Sequence, residues 1–91
     1  MSFSFSVKGA TVPEVVEKVK SEMEQVVVGQ PSHQADSEAV ATAANAYASI
    51  LRTPLENEVI VLSISGSLSW REENAFVGAS IYIDGYIGAK L

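Results

Sequence analysis

The chain has no cysteine, so it can build neither a disulfide framework nor a thiolate metal site, which suits a reducing cytoplasm. It has one histidine, His33, and no His-x-x-x-His or Asp-x-Asp spacing that would gather ligands for a metal ion. Glycine-rich phosphate loops of either common type, Gly-x-Gly-x-x-Gly or Gly-x-x-x-x-Gly-Lys, are absent. Nothing approaches the run of about 18 apolar residues that a membrane span needs. Residues 1–10 alternate serine with phenylalanine and lack a basic start before an apolar stretch, so they do not read as a signal peptide. Positive charge is also scarce. The six cations, Lys8, Lys18, Lys20, Arg52, Arg71 and Lys90, are spread thinly and are outnumbered by 11 Asp and Glu, for a net charge of −5. Binding to a nucleic-acid backbone depends on releasing counterions at a basic face, and an acidic chain whose cations form no cluster is a poor candidate for it.

What is present is a foldable pattern. Apolar residues make up 47% of the 91, enough for one core and one domain over residues 1–91, with no second lobe to form an interdomain cleft. A domain this small buries only about 60–65% of its unfolded surface, so association with other chains would add usefully to its stability. Phe3, Phe5 and Val7 alternate with Ser2, Ser4, Ser6 and Lys8, the period of a strand with one buried face. After Gly9, Thr11 and Glu14 have the spacing of a capping box, with Pro13 tolerated in the first turn. Val12, Val15, Val16, Val19, Met23, Val26 and Val27 then draw one stripe down a helix that ends at Gly29 and Pro31.

A second helix starts between Ser32 and Asp36 and ends by Thr53-Pro54, since the residue before a proline avoids the α region. Ala39, Val40, Ala43, Ala44, Tyr47, Ile50 and Leu51 are expected on one side of it. Seven alanines between Ala35 and Ala48 make it thin and let neighbours approach closely. The remainder reads as a long β-hairpin turning at Arg71-Glu72-Glu73-Asn74. A four-residue turn there pairs Leu68 with Val77, Gly66 with Ala79, Ile64 with Ile81 and Leu62 with Ile83, and sets Ser65 opposite Ser80. The small Gly66/Ala79 pair would make a groove for the second helix. Alternation continues through Gly85 to Leu91, which favours one long strand with a kink at Gly85 over a second tight turn. The expected fold is α+β, a three-stranded and mostly antiparallel sheet with two helices on one face, in the order β-α-α-β-β.

On the far side of that sheet the hairpin presents Ser63, Ser65, Ser67, Ser69 and Ser80 together with Phe76, Tyr82 and Tyr86, and the first strand adds Ser2, Ser4 and Ser6. Antiparallel sheets commonly keep one wet face, and serine is acceptable there. A flat, uncharged face with three aromatics is also what a contact surface looks like, because exposed neutral sheets usually carry charged gatekeepers. Ser63, Ser65, Ser67, Phe76, Ser80, Tyr82 and Tyr86 are therefore the candidate interface residues, for another copy of the chain or another protein. Single-strand RNA-binding modules share this broad plan, but their aromatics stand among Arg and Lys, and here the neighbours are serines and Asp84.

Chemistry has little support. Ser32, His33 and Asp36 lie close in sequence, yet triads are assembled from separated segments, and neighbours at a helix start more often cap it. The carboxylate pairs Glu56/Glu58 and Glu72/Glu73 fall in turns, where they are expected to be solvated. Trp70 at a hairpin end reads as a cap on the core. No catalytic residue, cofactor or metal is expected, and the chain reads as a non-enzymatic, self-associating binding or regulatory protein. The alternative is a small-molecule-binding or sequestering protein with a pocket where subunits meet. The segments Phe3-Ser4-Phe5-Ser6-Val7-Lys8-Gly9 and Ser63-Ile64-Ser65-Gly66-Ser67-Leu68-Ser69-Trp70 resemble those of small accessory proteins encoded by tailed phages of actinobacteria, over about 15 residues. That resemblance implies a bacterial cytoplasm during infection and a host or phage protein as target, and it transfers no residue role.

Overall fold

A computed structural model describes residues 2–26, 28, 33–71 and 75–90, with side chains described at all of these except 33–36, 68–71 and 75–79. The elements are β1 (Ser2–Gly9), α1 (Val12–Val26), α2 (His33–Ala48), β2 (Glu58–Arg71) and β3 (Ala75–Ala89). This is the expected α+β order. β2 is the central strand, antiparallel to both β1 and β3. Each element reverses the chain, so two intervening helices return β2 antiparallel to β1, where a single crossover helix would make it parallel.

α1 starts as its sequence requires. The Glu14 N–H donates to Thr11 Oγ1 at 3.3 Å, and the Ala10 N–H donates to Glu14 Oε2 at 2.8 Å, one residue earlier than an ideal capping box. The Ala10 bond, more than the nearby Lys18 ammonium, holds the Glu14 carboxyl below the usual range. Val15, Val19 and Met23 are fully buried along the expected stripe. α2 is rotated relative to expectation. Val40, Ala41, Ala44, Ala48 and Ser37 are buried, whereas Ala39 is exposed and Ile50 lies 79% exposed beyond the helix end. Ser37, Val40, Ala41, Ala44 and Ala48 follow the i, i+3, i+4, i+7, i+11 rhythm of one face, which an alanine-rich sequence masks. The helix stops at Ala48, short of Thr53-Pro54. Ile50 N–H and Leu51 N–H bond the carbonyls three residues back, at 3.2 and 3.1 Å, which tightens the last turn.

The two helices pack on each other, with α1 over β1 and α2 reaching β3. Beneath them Phe3, Val7, Ile60, Leu62 and Ile64 complete the core. The β2–β3 register departs from expectation by two residues. Leu62 pairs with Gly85, Ile64 with Ile83, Gly66 with Ile81 and Leu68 with Ala79. A shift of two preserves which side chains share a face. It arises because Arg71 pairs with Ala75, leaving three residues between the strands, and an irregularity between Ser69 and Trp70 adds the remaining offset. The residues of the turn, 72–74, lie outside the described set.

The register moves the helix contact. A Cβ built on Gly66 would collide with the Ser80 carbonyl oxygen and meet the Phe3 ring at 3.0 Å, and no helix atom is among its nearest neighbours. Helix α2 instead lies over Gly85, whose absent Cβ leaves room for Tyr47 Cε1 at 3.0 Å and Leu62 Cδ2 at 2.6 Å. The Gly85 N–H donates to Tyr47 Oη at 3.1 Å, so the helix covers part of the β3 edge. β3 runs through Gly85 as one strand to Ala89, as the alternation implied. β2 continues four residues past its last pairing with β1 at Ser67, and with β3 it forms a two-stranded arm that lengthens the molecule to 48 × 18 × 18 Å.

Candidate functional site

Antiparallel pairing on both sides of β2 aligns the outward residues of all three strands into rows. Ser2, Ser67 and Ser80 form one row; Ser4, Ser65 and Tyr82 the next; Ser6, Ser63 and Asp84 the third; Lys8, Val61 and Tyr86 the fourth. Seven of the nine positions in the first three rows are serine, and the other two, Tyr82 and Asp84, both lie on β3. Of the candidate residues, Ser63, Ser65, Ser67, Ser80, Tyr82 and Tyr86 are brought together on this face. Phe76 pairs with Trp70 beyond the irregularity, and its side chain lies outside the described residues. Ser65 does not face Ser80: it faces Tyr82, and Ser67 faces Ser80.

Relief on the face is set by side-chain size. Tyr82 is 70% exposed and Tyr86 58%, while the surrounding serines are short. Between them is a shallow hollow of about 190 Å³ floored by Ser4, Ser63 and Ser65 and walled by Tyr82 and Asp84. Ser6 Oγ donates to the Leu62 carbonyl at 3.1 Å, so this hydroxyl is partly occupied by the strand itself. In the fourth row Val61 is only 6% exposed although it points away from the core, and the Tyr86 and Lys8 positions flank it. Among the described residues neither Lys8 nor Asp84 has an ion-pair partner within the chain.

Elsewhere the geometry offers less. A depression between α1 and α2 is lined by Val16, Glu17, Lys20, Glu38, Ala41 and Asn45, among others, and a cleft beside the start of α1 is lined by Thr11, Pro13, Leu51, Arg52, Pro54 and Ile60. Arg52 of this cleft holds Glu58, which corrects one expectation, because that carboxylate is not simply solvated. Arg52 Nη1 and Nη2 each donate to one Glu58 oxygen at 2.7 Å, and the Leu55 N–H donates at 2.9 Å. The Arg52 guanidinium first, then the Leu55 amide, lower the Glu58 carboxyl to a pKa of about 2. This two-pronged pair closes the turn between Leu51 and β2, and both groups are satisfied, so it reads as a clasp. His33 opens α2, but its side chain, with those of Ser32 and Asp36, lies outside the described residues, as do Glu72 and Glu73. Among the described residues no group of three or more His, Asp or Glu could hold a metal ion, and no helix is long and apolar enough to cross a membrane. The chain matches no family model, no curated protein and no solved structure at a significant level. The resemblance of its strands to phage accessory proteins therefore gains no support from these comparisons.

The rows depend on where β1 sits, which period alone does not reveal. Their strand-by-strand composition was visible in the alternation of serines; their alignment was not.

Proposed function

We propose that this chain is a non-enzymatic, self-associating binding protein whose contact surface is the outer face of its sheet. The observation that carries this is the aligned serine array with two largely exposed tyrosines, on a chain that is otherwise acidic. Such a face buries well: its hydroxyls are small, hydrogen-bond in any rotamer and lose little side-chain entropy when covered. Tyrosine supplies contact area at low conformational cost. Helical surfaces carrying Glu14, Glu17, Glu22 and Glu24 would instead repel another acidic chain.

The test places like charges where the register sets two side chains face to face, in Ser67→Lys/Ser80→Lys. Wild type is expected to sediment above monomer mass in a concentration-dependent way, and the double variant as a monomer with an unchanged circular dichroism spectrum. A wild type that is monomeric throughout the micromolar range overturns the reading. A second reading, a small hydroxylated molecule held in the hollow at Ser4, Ser63, Ser65, Tyr82 and Asp84, is favoured by the convergence of polar groups there. Native mass spectrometry of freshly purified protein separates the two, since a retained ligand adds its own mass to monomer or oligomer.

A further inference from the structure

Resting on that reading, we infer that the occupant of the outer face is a second copy of this chain, related by a two-fold axis running parallel to β2, with Lys8 of each copy paired to Asp84 of the other and each Tyr82 seated in the other's serine hollow.

The face is electrically balanced in a way that selects this arrangement. In its four rows the described charges are one cation, Lys8 on β1, and one anion, Asp84 on β3; both are exposed, and among the described residues neither has an ion-pair partner. They occupy opposite edge strands and adjacent rows. A two-fold axis along β2 lays β1 of one copy over β3 of the other and keeps each row over itself. Lys8 then stands one row from the partner's Asp84, an offset of roughly 7 Å along the strand that a lysine side chain spans. Asp84 stands over the partner's Ser6. The pair occurs twice, as an isologous interface requires.

A two-fold axis across the strands, between the second and third rows, keeps each strand over itself and inverts the row order. It sets Lys8 over the partner's Ser2 and Asp84 over the partner's Tyr82, leaving both charges without an opposite. Of these two axes, the observed placement of Lys8 and Asp84 therefore favours the one along β2.

Shape selects the same arrangement. With the axis along β2, Tyr82 projects over the partner's Ser4, at the edge of the hollow formed by Ser4, Ser63 and Ser65. The hollow, about 190 Å³, admits a single aromatic ring. Serine around it is what leaves room for a tyrosine between sheets that pack about 10 Å apart. Area is adequate for a reversible dimer. Eight residues of β1 across three strands cover a plane of roughly 26 × 14 Å from the strand rise and spacing. Side-chain relief raises that to on the order of 600 Å² of accessible surface per copy, near the lower limit for a specific interface.

A charge-swap experiment tests this. Lys8→Asp and Asp84→Lys are made singly and together, each checked by circular dichroism and studied by sedimentation equilibrium beside wild type. Each single variant places like charges together twice, and its self-association is expected to weaken roughly tenfold or more. The double variant restores opposite charges and is expected to dimerise as wild type does. An equimolar mixture of the two single variants is expected to form the heterodimer, because both of its cross-pairs are again opposite. Self-association unaffected by either single change, or a mixture that stays monomeric, overturns the arrangement. Ser65→Arg, which fills the hollow with a bulky charge, separates that failure from failure of the face itself. If Ser65→Arg abolishes the dimer while the charge swaps do not, the face is the contact and the two-fold along β2 is wrong. If neither has an effect, the face is not the contact.

Discussion

On the helix side of β2, Ile60, Leu62 and Ile64 are at most 1% exposed and sit under α1 and α2; on the other side of the same strand Ser63 and Ser67 are open. One backbone thus carries two faces under different constraints. The covered face is fixed by packing, where each methylene is worth close to a kilocalorie per mole and a missing atom leaves a void. The open face has only cross-strand neighbours to satisfy, and many residues would serve it. Charged or β-branched residues would serve it better for solubility and for strand stability, yet β1 and β2 place serine there in three successive rows. The packing of the fold does not call for that choice, which is why the open face carries the functional proposal.

The comparison is broken most severely at the covered face. Leu62→Ala removes a fully buried side chain at the centre of the core and is expected to cost about 2–5 kcal/mol in chemical denaturation. A loss below that range would mean the helices close over the gap and the core is less constrained than its burial implies.

Next are the two glycines that the register places at close approaches. Gly66→Ala drives a Cβ against the Ser80 carbonyl and Gly85→Ala drives one against Leu62 and Tyr47, each expected to cost about 1–3 kcal/mol. The two differ in what they touch. Gly85→Ala should couple to Tyr47→Ala in a double-mutant cycle, while Gly66→Ala should add to it independently. Coupling between Gly66 and Tyr47 would instead put α2 over the middle of the hairpin.

At the boundary between core and solvent, Glu58 gives a pH-dependent effect. Its carboxyl is lowered from an ordinary 4.5 to about 2 by Arg52 and the Leu55 amide. A lowered carboxyl stabilises the fold fully above its unfolded value, and that contribution is lost as pH falls from about 4.5 toward 2. Glu58→Gln is expected to be less stable near neutrality and to show a shallower acid decline over that window. An unchanged acid limb would show that the clasp is not maintained in solution. Because the pair is exposed, added salt should shrink the difference.

Periodicity shows which side of each strand is buried, because a period of two is insensitive to a two-residue slip. For the same reason it could not show the register, and the expected pairing of Gly66 with Ala79 was off by that slip. Turn chemistry decides register, and a polar run such as Arg71-Glu72-Glu73-Asn74 is compatible with turns of three or four residues. In α2 the stripe was placed partly on the wrong side because alanine is nearly as common outside the contact as within it: Ala39 and Ala46 are exposed, Ala44 and Ala48 buried. The Arg52–Glu58 clasp joins residues across a turn whose path has no periodic signature. The serine rows were legible strand by strand, but their alignment required knowing that β1 lies beside β2.

The smallest expected effect sharpens the comparison most. Ser4 and Ser65 face each other across β1 and β2 at the floor of the hollow. Replacing both with threonine keeps the hydroxyls and adds two methyl groups that favour extended backbone. Threonine cross-strand pairs contribute roughly 0.2–1 kcal/mol relative to alanine pairs, so Ser4→Thr/Ser65→Thr is expected to gain stability at the low end of that range. If stability alone shaped the open face, the change should carry no cost elsewhere. If the hollow receives Tyr82 of a second copy, the same methyl groups occupy its space, and self-association should weaken while the melting temperature rises. Opposite movements of the two quantities in one variant are the signature of a face kept for contact at the expense of its own strand stability. Stability and association rising together would mean that serine at these positions serves neither end.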